Sequence, residues 1–68
     1  MKQTHTMESA RRRVGLKQSE MAKKLGVTEP TYISYELGRT DIKARTLFKF
    51  CEITGVDIND IYLPNISS

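Results

Sequence analysis

Apolar residues recur along the chain with the period of an α-helix, and no stretch shows the alternation that predicts a β-strand. Met21, Ala22 and Leu25, for example, are spaced to share one helix face. The pattern predicts five short helices, which run from near Thr6 to Val14, from about Gln18 to Leu25, from a cap at Thr28 to Gly38, from about Ala44 to Thr54, and from Ile58 to Tyr62. We therefore expect an all-α fold.

Residues at the predicted helix ends support these boundaries. Thr6, Thr28 and Asp57 precede helices and are residue types that accept hydrogen bonds from first-turn amides. Glycines follow four of the helices, at positions 15, 26, 38 and 55. Within the first helix, the spacing places Met7, Ala10 and Val14 on one inward face. These signals predict a compact five-helix bundle with short connections.

The length of 68 residues permits one small domain over residues 1–68, with an expected ordered core from about residue 6 to residue 63. Its composition, 38% hydrophobic and 28% charged, is typical of globular proteins. Its apolar runs are far shorter than the roughly 20 residues that cross a bilayer, so no membrane association is expected. The first six residues do not have the pattern of a secretory signal, which predicts a cytoplasmic location.

The residue types needed for catalysis or metal binding are scarce. Cys51, the only cysteine, lies on the predicted inward face of the fourth helix and is expected to be a small core residue. His5 is the only histidine, so the chain lacks the ligand pattern of a metal site. No nucleophile with a base and no phosphate-binding glycine loop is present. We expect neither an enzyme nor a cofactor or small-molecule site.

Charge is distributed unevenly along the chain. The first fifty residues hold all 11 basic and five of the eight acidic residues, a net charge of +6, whereas the last eighteen residues carry −3. Such a polarised domain suits a polyanion on one side, although a solvated surface would show the same pattern.

The segment from Gln18 to Gly38 has the spacing of a helix-turn-helix. Ala22 lies four residues before Gly26, where two helices must cross closely, and Tyr32 lies six residues after it and seals the junction. The chain resembles the lambda-type phage repressor and Cro family, also called the xenobiotic-response-element (XRE) family. The matching residues are Arg11, Gly15, Leu16, Gln18, Glu20, Ala22, Leu25 to Thr28, Glu36, Gly38, Leu47, Gly55, Val56 and Ile61.

This resemblance implies a lambda-repressor-like domain that binds double-stranded operator DNA and regulates transcription, most simply as a repressor. A recognition helix enters the major groove by its N-terminal half. With Tyr32 set inward, the base contacts are expected from Glu29, Pro30, Thr31, Ile33 and Ser34. The family commonly places glutamine or serine at the positions of Glu29 and Pro30, so its usual amide contacts are absent here.

Other expected roles follow from family positions. Phosphate contacts are expected at the ends of the second, third and fourth helices, from Lys17, Gln18, Arg39, Lys43 and Arg45. Arg11 and Glu36 match a pair that forms a partly buried structural salt bridge. Lys17 stands where the family usually has a serine or threonine that caps the second helix. The absence of that side-chain cap should cost about 1 kcal/mol of local stability.

The sequence leaves two alternatives for both assembly and partner type. Symmetrical family members bind paired half-sites, so a homodimer is expected at least on DNA. The apolar residues near the C-terminus either form the dimer contact or cover the domain's own core; they are Ile58, Ile61, Tyr62, Leu63 and Ile66. An alternative function is a protein-interaction module, such as an antirepressor or an antitoxin-like partner. The outward face of the third helix has two aliphatic residues and no long hydrogen-bonding side chain; its residues are Pro30, Ile33, Ser34 and Leu37.

Overall fold

A computed structural model describes residues 5–63 of the chain. Four α-helices account for most of this region: α1 (Met7–Arg13), α2 (Gln18–Leu25), α3 (Glu29–Leu37) and α4 (Ala44–Thr54). A 3₁₀ turn follows at Ile58–Asp60, and two very short strands, β1 (His5–Thr6) and β2 (Ile61–Tyr62), lie at the ends of the described region. None of its helices is long and apolar enough to cross a membrane.

The core lies between the four helices and is centred on the fully buried side chains of Met21, Tyr32 and Phe50. The rings of Tyr32 and Phe50 stack with their centroids 6.4 Å apart, so α3 packs directly against α4. The ring of Tyr35 meets that of Tyr32 edge to face, at a centroid distance of 6.4 Å. Ile42 in the loop before α4 is also buried and closes one side of this core.

The fifth helix predicted from Ile58 to Tyr62 is present only in part, as a 3₁₀ turn over Ile58–Asp60. Asp57 does cap a turn, because its side chain accepts a hydrogen bond of 2.8 Å from the amide of Asn59, but the turn is a single 3₁₀ turn. The chain then becomes extended, and Ile61 and Tyr62 pair in parallel with His5 and Thr6. Two-residue strands are too short to show alternation, and their pairing joins opposite ends of the domain. The all-α prediction therefore holds for the four helices and fails at this pairing.

The predicted inward position of Val14 is also wrong, since 39% of this residue is exposed. The helix α1 ends at Arg13, and Val14 has the non-helical backbone angles of a C-cap residue. A side chain beyond the last helical residue no longer follows the helical period, so the spacing from Ala10 does not carry over. The buried residue on this part of α1 is Arg11.

The predicted caps of α1 and α3 are confirmed. Thr6 and Ser9 form a reciprocal pair, in which each side-chain oxygen accepts a hydrogen bond of 3.0 Å from the backbone amide of the other residue. Thr28 Oγ1 accepts a hydrogen bond of 3.3 Å from the amide of Thr31. Both helices therefore begin where the sequence indicates.

Candidate nucleic-acid interface

The helices α2 and α3 are joined by a turn of three residues that begins at Gly26. This glycine has a φ of 75°, a conformation that other residues adopt only with strain. The amide of Val27 donates a hydrogen bond of 3.0 Å to the carbonyl of Ala22 and closes the turn. Ala22 is itself 2% exposed, and its small side chain lets the two helices approach closely. The turn therefore sets the direction of α3.

The two sides of α3 differ in exposure. Tyr32 and Tyr35 are buried, whereas Glu29 and Pro30 at the start of the helix are exposed. The other three candidate base-reading residues, Thr31, Ile33 and Ser34, are half-buried. Of the five candidate base-reading residues, the two at the start of α3 are therefore exposed and the other three are partly accessible. Farther along the helix, Leu37 is 57% exposed.

The hydroxyl groups at the start of α3 are linked to each other. Thr28 Oγ1 donates a hydrogen bond of 2.9 Å to Thr31 Oγ1. Because a hydroxyl is both an acceptor and a donor, Thr31 can still donate its own proton outward. This contact holds the Thr31 side chain in one orientation at the helix surface.

The candidate phosphate-binding residues lie at helix ends around α3. Lys17 precedes α2, Arg39 follows α3, and Lys43 and Arg45 lie at the start of α4; all four are exposed. The backbone amide of Arg39 donates a hydrogen bond of 2.9 Å to the carbonyl of Ser34, so this cation is held close to the C-terminal end of α3. Their exposed positive charges are accessible to an anion.

Lys17 does not cap α2 with its side chain. Its backbone amide instead donates a hydrogen bond of 2.8 Å to Glu20 Oε1. The negative charge of Glu20 in the first turn also interacts favourably with the positive end of the helix dipole. The contact with Glu20 therefore offsets part of the stability that is lost without a serine or threonine cap.

A buried ion pair joins α1 to α3, as the resemblance implies. Arg11 Nε lies 2.7 Å from Glu36 Oε2, and the two side chains are 8% and 6% exposed. Arg11 also donates a hydrogen bond of 2.8 Å to the carbonyl of Leu16, in the loop before α2. The hydrogen bond to Glu36 raises the pKa of Arg11. Burial alone would raise the pKa of Glu36, but Arg11, and then the neighbouring Tyr32 and Gln18, outweigh it and lower that pKa.

The contact from Gln18 to this pair is absent from the sequence-based predictions. Gln18 Nε2 donates a hydrogen bond of 2.9 Å to Glu36 Oε1, so a residue expected only at phosphate also belongs to the buried network. Gln18 and Glu36 lie on different helices, and no local spacing signals their contact. The only signal was that both match family positions, without any indication that they meet.

The hydroxyl of Tyr32 is buried beside these groups and makes no hydrogen bond within the described residues. Burial raises the pKa of Tyr32, so the phenol stays neutral. Its ring supplies the packing that holds α3 in place, and after burial the nearby Glu36 is the next cause of its raised pKa.

Cys51 and Arg13 both contact the domain's own residues. Burial, and then the negative charge of Asp57, raises the pKa of the half-buried Cys51, which favours the neutral thiol. Arg13 donates a hydrogen bond of 3.2 Å to the carbonyl of Thr54 at the end of α4. Within residues 5–63, no three histidine, cysteine or acidic residues are grouped in a way that could hold a metal ion.

Comparisons with known proteins agree with this geometry. An uncharacterized HTH-type transcriptional regulator of Methanocaldococcus jannaschii is 42% identical over 48 residues, which cover 71% of this chain and 73% of that protein. The uncharacterized HTH-type transcriptional regulator YqaE of Bacillus subtilis is 34% identical over 56 residues, 82% of this chain and 48% of that protein, so the chain spans about half of its length. No solved structure gives a significant match.

A family model described as helix-turn-helix matches residues 7–61, a region that contains all four α-helices and the turn at Gly26. Together with the two relatives, this match shows that the chain belongs to the XRE-type helix-turn-helix family.

Proposed function

We propose that the protein is a sequence-specific regulator of transcription that binds double-stranded operator DNA and represses by occupying the operator. The observation that carries the proposal is the setting of α3: its inner face is buried, its N-terminal half is presented outward, and exposed cations lie at the neighbouring helix ends. That arrangement suits insertion of α3 into a major groove. The names of the two relatives support the same function. The proposal involves no catalysis and no cofactor.

The five candidate base-reading residues differ in what they can recognise. Glu29 can accept a hydrogen bond from cytosine N4, whereas Thr31 and Ser34 can donate or accept. Ile33 offers a methyl surface to thymine, and Pro30 fills space beside it without a polar group. With no glutamine or arginine in this window, we expect discrimination to come from short-range hydroxyl and apolar contacts. The negative charge of Glu29 also stabilises α3, because it lies at the positive end of the helix dipole.

Affinity for DNA of any sequence is expected to come from phosphate contacts at the helix ends. Lys17, Arg39, Lys43 and Arg45 are assigned to phosphates as charged contacts, and Gln18 as a neutral one. Each cation that neutralises a phosphate releases a condensed counterion, so affinity falls as salt rises. Replacing Arg39 or Lys43 by alanine should weaken binding to all sequences similarly and reduce the slope of log K against log salt by about one unit.

We propose a homodimer on DNA, because one such domain reads only about half of a symmetrical operator. Of the apolar residues near the C-terminus, Ile61 is buried and Leu63 packs against the domain's own core. Ile58 and Tyr62 are 37% and 49% exposed and remain candidates for the contact, whereas Ile66 lies outside the described residues.

Sedimentation of the free chain, compared with a truncation after Tyr62, tests the contribution of the tail. Unchanged association after truncation would remove the tail from the interface.

The DNA-binding proposal is tested by titrating the purified chain against a mixed-sequence duplex and against duplexes enriched by selection, each at two salt concentrations. We expect salt-dependent binding to both and at least a thousandfold preference for the selected site, as is usual for specific regulators. Absence of any salt-dependent affinity would contradict the proposal.

A protein-interaction module is the second candidate function. The observation that favours it is the exposure of Leu37, which is 57% exposed on the same helix as the half-buried Ile33. An apolar face of this kind can also meet another protein. This function would take precedence if the titration showed no affinity for duplex DNA.

A further inference from the structure

The carboxylate of Glu36 connects three helices. One oxygen accepts the hydrogen bond of 2.7 Å from Arg11 on α1, and the other accepts the hydrogen bond of 2.9 Å from Gln18 on α2, while Glu36 itself belongs to α3. The Arg11 and Glu36 side chains are almost fully buried. In so enclosed a site, a carboxylate with two donors in fixed positions has little freedom to rotate.

The Gln18 end of this network lies at the surface. Gln18 is the first residue of α2, directly after the exposed Lys17, and is itself half-buried. Backbone amides of a helix's first turn have no partners within the helix, which makes such an end a favourable place for phosphate oxygens. The side-chain amide of Gln18 carries two hydrogens, and the contact with Glu36 uses one of them. Its second N–H can be donated at the start of α2.

We infer that Glu36 is a positioning residue for DNA binding, which acts without touching DNA by holding the Gln18 amide ready for a phosphate at the start of α2. The inference rests on the proposed function and deepens it. Because Glu36 belongs to α3, the same contact holds the phosphate-binding end of α2 at a fixed distance from the helix that reads bases. The backbone contact is thus kept in register with the base contacts.

Simple electrostatics predicts the opposite effect for Glu36, which makes the inference testable by its sign. Removing a negative charge from a DNA-binding protein should strengthen binding to a polyanion. Loss of a positioning contact should weaken it. Glu8 provides the matched control, because it is an exposed acid that pairs with Arg12 at 2.9 Å on the outer surface of α1. Glu8→Gln and Glu36→Gln change the net charge equally.

The experiment uses the full chain and a fluorescent 20-base-pair duplex of mixed sequence, because phosphate contacts do not depend on the operator. Affinities are measured over a salt series for wild type, Glu8→Gln, Glu36→Gln, Gln18→Ala and the Gln18→Ala/Glu36→Gln double variant. Urea unfolding establishes the folded fraction of each protein under the assay conditions. We expect Glu8→Gln to bind as well as wild type or better, and Glu36→Gln and Gln18→Ala each to bind about tenfold more weakly, the loss of one hydrogen bond to a charged group.

The double variant decides whether the two residues act together. If Glu36 acts through Gln18, the double variant should bind no more weakly than either single variant. Losses that multiply would overturn the inference, as would a folded Glu36→Gln protein that binds as tightly as Glu8→Gln. A role of Glu36 in stability alone would change the unfolding curve and leave the affinity of the folded protein unchanged.

Glu36→Gln leaves Arg11 buried without a charged partner and could prevent folding. A second variant, Arg11→Met/Glu36→Met, replaces the pair with apolar side chains, a change that buried ion pairs often tolerate. Weak binding by this folded variant supports the inference, and wild-type affinity overturns it. If wild type itself shows no salt-dependent affinity for the duplex, the proposed function fails and the inference fails with it. Binding by wild type with no loss on changing Glu36 overturns the inference alone.

Discussion

The inner and outer faces of α3 show how one nine-residue helix serves two purposes. The inner face holds Tyr32, fully buried against Phe50, and Glu36, whose carboxylate is held by two other helices. The outer face holds Glu29 and Pro30, which are exposed at its start. Stability should therefore depend on the inner face and base recognition on the outer face, with Glu36 as the one inner residue that we infer also supports phosphate binding. The four predictions below test whether the two properties separate in this way.

Tyr32 should give the largest effect on stability. Tyr32→Ala removes a fully buried ring and should lower the free energy of unfolding by about 3–5 kcal/mol, enough to unfold much of so small a domain. Tyr32→Phe keeps the ring and removes a hydroxyl that makes no hydrogen bond within the described residues, so stability should be unchanged or rise. Urea unfolding of both variants measures this. A Tyr32→Phe loss of more than about 1 kcal/mol would show that the hydroxyl has a partner.

Arg11→Met should be nearly as damaging at neutral pH, with a cost of about 3–5 kcal/mol, because it leaves the Glu36 carboxylate buried without its cation. The pH dependence distinguishes this cause. In wild type the pKa of Glu36 is lowered, so this group stabilises the fold above its unfolded pKa, and the contribution is lost as pH falls through the folded pKa.

In Arg11→Met, burial should raise the pKa of Glu36 instead, so the free energy of unfolding falls as pH rises from the unfolded pKa through the folded pKa of this group. The difference in free energy of unfolding between wild type and Arg11→Met should therefore shrink as pH is lowered. Urea unfolding at several pH values between 3 and 7 measures it. A difference that does not vary with pH would mean that Glu36 is not the group responsible.

Ser34→Ala should have the opposite outcome, with weaker operator binding and almost unchanged stability. At a selected operator it should cost about 1–3 kcal/mol of binding free energy and relax preference at one base pair, with little change in affinity for mixed-sequence DNA. Its free energy of unfolding should change by no more than about 0.5 kcal/mol. Ser19→Ala, which alters an exposed serine on α2, is the matched control and should affect neither property. Undiminished discrimination in Ser34→Ala would remove this residue from the base-reading set.

Lys17→Ser is expected to give the smallest effect, with opposite signs for stability and binding. A serine at this position can accept a first-turn amide and should raise the free energy of unfolding by up to about 1 kcal/mol, since the position now has no side-chain cap bond. The same change removes a cation and should weaken DNA binding and reduce the salt slope by about one unit. Lys17→Ala should lose the same affinity without the gain in stability. Equal stability of the two variants would show that the Glu20 contact already satisfies this helix end.

Local signals in the sequence were sufficient for the helices and the turn. Thr28 and Gly26 act on backbone groups within a few residues of themselves, so the start of α3 and the end of α2 could be predicted without knowing the rest of the fold. The burial of Tyr32 also followed from helical spacing, because its period is a property of the helix alone. The same signals predicted which residues α3 presents outward.

Contacts between distant residues required the tertiary structure. The pairing of His5 with Ile61 and the hydrogen bond from Gln18 to Glu36 join segments whose separation in sequence leaves no periodic trace. Val14 was misplaced because a helical period continues only as far as the helix, and its last residue is set by how α1 meets the following loop. The sequence by itself thus determined the four α-helices and the turn between α2 and α3, since those depend on short-range sterics and hydrogen bonds. Only packing brought Glu36 between two other helices and paired β1 with β2, since those contacts exist only once the core has formed.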